Sequence, residues 1–146
     1  MDMPSTLTTD NNHTADKAID TKLRLSILWI AVMFNMIYAD ILGFVTPGAI
    51  EELMTGYSGT VELTQEVLFI SALLLEIPII MIVLSRVLNY RINRIANIAA
   101  GIITILFVIA GIEEQLFFKF FVAVEVLLMT IIIFYAWSWK EPSLNN

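Results

Sequence analysis

The chain has 146 residues, 58% hydrophobic and 15% charged, whereas soluble domains run about 45–50% apolar and about 25% charged, so the balance points to a membrane. A net charge of −6 with no basic surface excludes nucleic acid as a partner. The lack of cysteine excludes disulfides, thiolate metal sites, iron–sulfur clusters and thiol catalysis, and the lone histidine, His13, offers no basis for a histidine zinc site or proton relay.

Residues 1–21, MDMPSTLTTDNNHTADKAIDT, lack the basic start, apolar core and small-residue cleavage site of a signal peptide, and read as a disordered polar tail. The first membrane span covers about 23–45, with Lys22 and Arg24 at its entry and Gly43 and Pro47 at its exit. The following connection has no basic residue and carries Glu51, Glu52 and Glu62. Thr46 as N-cap, Pro47 in the first helical position and Ile50, Leu53 and Met54 on one face predict a short interfacial helix ended by Gly56.

The second span, about 67–88, carries Glu76 near its centre and Pro78 two residues later. Pro78 has no N–H for the Leu74 carbonyl, which frees an acceptor beside Glu76 or simply kinks the helix. Arg86, Arg91 and Arg94 follow. In the third span, about 92–112, Asn93, Asn97, Gly101, Thr104, Val108 and Gly111 form a stripe of mostly small or polar residues that admits close approach of another helix. Glu113, Glu114 and Gln115 leave a tight connection to the fourth span, about 116–139, whose Tyr135, Trp137 and Trp139 form an aromatic belt. Residues 141–146 are a short polar end.

The expected fold is therefore an all-α integral membrane bundle of four transmembrane helices with a short outer interfacial helix. Lys17, Lys22, Arg24, Arg86, Arg91, Arg94 and Lys140 fall on one side of it and Lys119 alone on the other. The positive-inside rule then puts both termini in the cytoplasm.

Depth arithmetic at 1.5 Å per residue places Asp40 about 8 Å, and Glu76 and Glu125 about 14 Å, from the outer ends of their helices. With Asn35, Tyr38, Pro78 and Thr104, these carboxylates form a candidate intramembrane polar site. Three readings of that layer stand: protonated acids that hydrogen-bond across helices, a cavity that binds or passes a proton, cation or small ligand, or an oxygen-ligand metal site of Asp40, Glu76 and Glu125. A second cluster, Arg86, Arg91, Asn93, Arg94 and Asn97, reads as a topology signal in contact with anionic lipid headgroups at the inner face.

No nucleophile–base pair, glycine-rich phosphate loop or helical metal motif occurs, and no cofactor is implied. The leading expectation is a non-enzymatic membrane protein whose polar layer binds or passes a small species. The alternatives are a structural or assembly subunit of a membrane complex and, third, a membrane enzyme acting on a lipid or quinone. Partners would be the bilayer itself, anionic lipid, and a second copy or another membrane protein.

The segments FNMIYADIL, LLLEIPIIMIVLSRVL, NYRINRIANI and FYAWSWK resemble a family of small bacterial four-pass membrane proteins of unknown function, over roughly 23–140. The resemblance implies a bacterial cytoplasmic (inner) membrane and the four-helix architecture, and brings no activity. Tyr38, Asp40, Glu76, Pro78, Arg86, Arg91, Asn93, Arg94 and Asn97 fall on its YAD, EIP and R-x-N-R-x-A-N elements.

Overall fold

Apolar runs long enough to cross a bilayer must satisfy their backbone internally, and an α-helix does so with bonds inside one segment. The computed structural model describes residues 6–111 and 114–140. It contains α1 (Thr6–Phe44), α2 (Ala49–Met54), β1 (Tyr57–Ser58), β2 (Val61–Glu62), α3 (Gln65–Val87), α4 (Tyr90–Ala110) and α5 (Leu116–Ser138). Among the described residues, four stretches are long and apolar enough to span a membrane: Asp20–Phe44, Gln65–Val87, Tyr90–Ala110 and Leu116–Ser138, with mean hydropathies of 1.9, 2.8, 2.0 and 2.5. The expected C-terminal tail at 141–146, the first five residues and the pair at 112–113 lie outside the described residues.

The helix α1 begins at Thr6, well inside the stretch that the sequence suggests is a tail. Asp, Asn and Thr are weak helix formers, but extending an existing helix avoids the cost of nucleation. An i,i+4 ion pair of Asp20 with Arg24 at 2.8 Å joins this extension to the apolar span.

Between α1 and α3 the chain folds into a small cap. Thr46 Oγ1 donates to the Leu42 carbonyl at 3.1 Å, so Thr46 closes α1 instead of capping α2, whose N-cap is Gly48 at φ 87°. The short helix forms as expected and stops before Gly56. An antiparallel two-stranded hairpin follows, with Tyr57 opposite Glu62 and Ser58 opposite Val61. Its first turn residue, Gly59, has φ 57°, the conformation a two-residue hairpin of this kind demands at that position. Glu52 Oε1 accepts the Gly59 N–H at 2.6 Å and binds the hairpin to α2. This cap marks one end of the bundle, the hairpin end.

The helix α1 packs against α3 and α5, and α4 against the same two, which makes a four-membered ring of helices. Leu25, Trp29, Val32, Met129 and Ile132 are fully buried at its centre. Phe34, Ile37, Phe69, Leu73, Val83, Leu106, Leu127 and Phe134 point outward, as side chains that face lipid would. The buried face of α4 comprises Asn93, Asn97, Ala100, Gly101, Thr104 and Val108, most of the small and polar stripe read from the sequence. Gly101 lets α4 pack tightly against α5, since a Cβ there would lie 2.9 Å from Ile133 Cγ1.

Candidate functional site

At the hairpin end the four helices do not close completely. A half-enclosed crevice of about 320 Å³ lies between them, roofed by the cap. Met36, Ala39 and Asp40 line it from α1, Ser58 from β1, Ser71 and Leu75 from α3, Phe107 and Val108 from α4, and Phe118, Val122 and Glu125 from α5. Two carboxylates therefore share one space. Asp40 is exposed at its rim, while Glu125 is 97% removed from the surface, being 3% exposed.

Glu125 is positioned from two sides. Burial between Val122 and Met129 places it on the inner face of α5. Asn35 of α1 then donates its Nδ2 to Glu125 Oε1 and to the Phe121 carbonyl, both at 3.0 Å. One amide thus fixes the carboxyl and binds α1 to α5. A charged or protonated acid can both be served this way, because a carboxyl oxygen accepts in either state.

The other residues expected in this layer fall elsewhere. Thr104 is buried but donates to the Ala100 carbonyl of its own helix at 2.8 Å. Pro78 is buried inside an uninterrupted α3. Tyr38 is 56% exposed and points away from the bundle. Glu76 is also exposed, on the outer face of α3, and does not line the crevice. The alternative in which Asp40, Glu76 and Glu125 converge on a metal is thereby corrected. Among the described residues, no three or more His, Cys, Asp or Glu side chains are grouped to hold a metal ion. Helix phase is the reason: Leu75 faces the crevice, and a side chain one residue later on a helix is turned by about 100°.

The second expected cluster separates as well. Arg86 and Arg91 are exposed near the end of the bundle opposite the hairpin, and Arg94 stacks over Trp137 at 5.6 Å from the ring centroid. Asn93 and Asn97, expected beside them at headgroup level, are instead fully buried. Asn97 Oδ1 accepts from Trp29 Nε1 at 2.7 Å and Ser85 Oγ at 3.1 Å, and its Nδ2 donates to Asn93 Oδ1 at 2.6 Å and Asn93 O at 2.9 Å. Asn93 Nδ2 donates to the Ser85 carbonyl at 2.7 Å, one of the last carbonyls of α3 that no later turn can satisfy. Tyr90 OH does the same for the Trp139 carbonyl just past α5, at 2.7 Å. These bonds tie α1, α3 and α4 together, and Tyr90 ties α4 to the end of α5.

Ser58, Ser71, Phe107 and Phe118 at the crevice, and Trp29 and Ser85 in the buried network, are participants that sequence reading does not single out. Single serines and aromatics in apolar helices carry no spacing signal. Only the helix phases bring them together.

The chain belongs to a family of unknown function (DUF6326), whose model matches residues 16–146. No curated protein and no solved structure matches it.

Proposed function

We propose that this multi-pass member of the family is a non-enzymatic membrane protein whose crevice at the hairpin end binds a small cation. The observation that carries the reading is that Asp40 and Glu125 line one space, with Glu125 held by Asn35. A volume of about 320 Å³ suits a small organic cation or a partly hydrated metal ion. Phe107 and Phe118 supply aromatic walls, which favour an organic cation over a strongly hydrated one. Arg86, Arg91 and Arg94 lie at the other end, so the positive-inside rule supports cytoplasmic termini and a crevice that opens outward. By its family resemblance the membrane is the cytoplasmic membrane of a bacterium.

The test is calorimetric titration of the purified protein in lipid nanodiscs with tetramethylammonium and with sodium. Tetramethylammonium should bind more tightly, and Glu125→Gln and Asp40→Asn should each weaken it about tenfold, the equivalent of about 1.4 kcal/mol. Binding should also fall as the pH is lowered, because protons compete for the same carboxylates. No saturable binding to the native chain, or binding indifferent to both substitutions, refutes the proposal. A second reading, that Glu125 serves only as interhelical glue, draws on its hydrogen bond to Asn35. It predicts normal stability of Glu125→Gln with no cation binding by either protein.

A further inference from the structure

Glu76 lies eleven residues into α3 from the hairpin end, about 16 Å deep at 1.5 Å per residue, which is near the middle of a bilayer core of about 30 Å. It projects from the exposed side of α3 in a row with Phe69, Leu73, Ile80 and Val83. In one copy of the chain, that row and its carboxyl face lipid. Ionisable groups at this depth normally turn to the interior or to a partner, because hydrocarbon offers no hydrogen bonds.

The outer surface of the same chain carries a matching group. Tyr38, six residues before the end of α1 and so about 9 Å deep, presents its phenol on an exposed face otherwise built of Phe34, Ile37 and Ile41. Side chains lean toward the N-terminus of their own helix. Because α1 runs toward the hairpin end and α3 away from it, Tyr38 leans deeper and Glu76 leans shallower. The offset of about 7 Å is one that a tyrosine and a glutamate side chain together can close. One group is an O–H donor and the other a carboxyl acceptor. Of the other polar side chains on the outer face, Thr130 is already engaged with the Val126 carbonyl.

We propose that the exposed face of α3 docks on the exposed face of α1 in a second copy of this chain, with Tyr38 of one copy donating to Glu76 of the next. The contact joins two different surfaces. All copies share one orientation in the bilayer, so the rotation that relates neighbouring copies is about an axis normal to the membrane. The docking removes a carboxyl and a phenol from hydrocarbon at once, and the apolar neighbours in each row supply the packing. This assembly is independent of the cation reading, which concerns the opposite, inward faces.

The native chain lacks cysteine, so single cysteines report the contact directly. Two differently tagged copies, one Tyr38→Cys and one Glu76→Cys, are co-expressed in native-lipid vesicles and treated with a short bismaleimide. A cross-link between the two tags is expected, with none among copies that carry Glu76→Cys alone. In parallel, single-molecule photobleaching of the labelled full chain in vesicles should count more than one copy per spot. Tyr38→Phe and Glu76→Leu, both at exposed positions that leave the fold intact, should each weaken association about three- to twentyfold, the range of one interhelical hydrogen bond. Self-cross-linking of Glu76→Cys would overturn the proposal in favour of a symmetric α3–α3 seam. So would a native chain that counts as single copies, which would leave the face to a different membrane protein.

Discussion

Asn97 concentrates more hydrogen bonds than any other side chain in the buried network, and its replacement by Ala is the sharpest perturbation of the bundle. The native amide makes four bonds, two of them to other helices through Trp29 Nε1 and Ser85 Oγ. Ala removes all four and leaves the Trp29 and Ser85 donors and the Asn93 side-chain oxygen without their partner in a site with no solvent access. Interhelical hydrogen bonds within membranes contribute about 0.6 kcal/mol each, up to about 1.7. The two lost across helices, together with the polar atoms left unpaired on Trp29, Ser85 and Asn93, sum to about 2–4 kcal/mol. That lowers the folded-to-unfolded ratio by about 30- to 1000-fold. Reversible unfolding in mixed micelles, followed by tryptophan fluorescence, measures it. Asn97→Asp is the control: the acceptor roles toward Trp29 and Ser85 survive, but two donor bonds become acceptor–acceptor contacts. It should lie between Ala and the native chain or below both. A double-mutant cycle with Trp29→Phe should recover a coupling of about 0.6–1.7 kcal/mol. An Asn97→Ala protein within about 0.5 kcal/mol of native stability would refute the idea that this network holds α1, α3 and α4 together.

The other predictions concern single contacts. Gly101→Ala should cost about 1–2 kcal/mol, because the new Cβ meets Ile133 at 2.9 Å, and Ile133→Ala in the same chain should cancel part of that loss; simple additivity would show that the close approach is not limiting. Asn35→Ala should destabilise by about 1–2 kcal/mol and weaken tetramethylammonium binding by freeing the Glu125 carboxyl; unchanged affinity would detach Asn35 from the site. Gly59→Val should strain the hairpin turn and speed amide exchange across Tyr57–Glu62, whereas unaltered protection would mean that the cap does not depend on that turn.

Hydropathy made four spans legible because burying a backbone in lipid leaves few alternatives to a long apolar helix. The short helix was readable from Ile50, Leu53, Met54 and Gly56, although Thr46 closes the preceding helix instead of capping this one. The hairpin between Tyr57 and Glu62 was not, since two-residue strands leave no alternating pattern to find.

Depth along each helix is likewise a property of residue count, so the sequence alone placed Asp40, Glu76 and Glu125 in one layer. Rotation about each helix axis is not. It depends on which neighbours pack against a face, and a step of one residue turns a side chain by about 100°. Tertiary packing therefore decided that Glu125 turns inward to Asn35 while Glu76 turns out, and that Asn93 and Asn97 enter the core while the neighbouring Arg91 stays outside. Composition and spacing made the membrane environment and the span count legible. Only the packing of the four helices determined which polar groups meet.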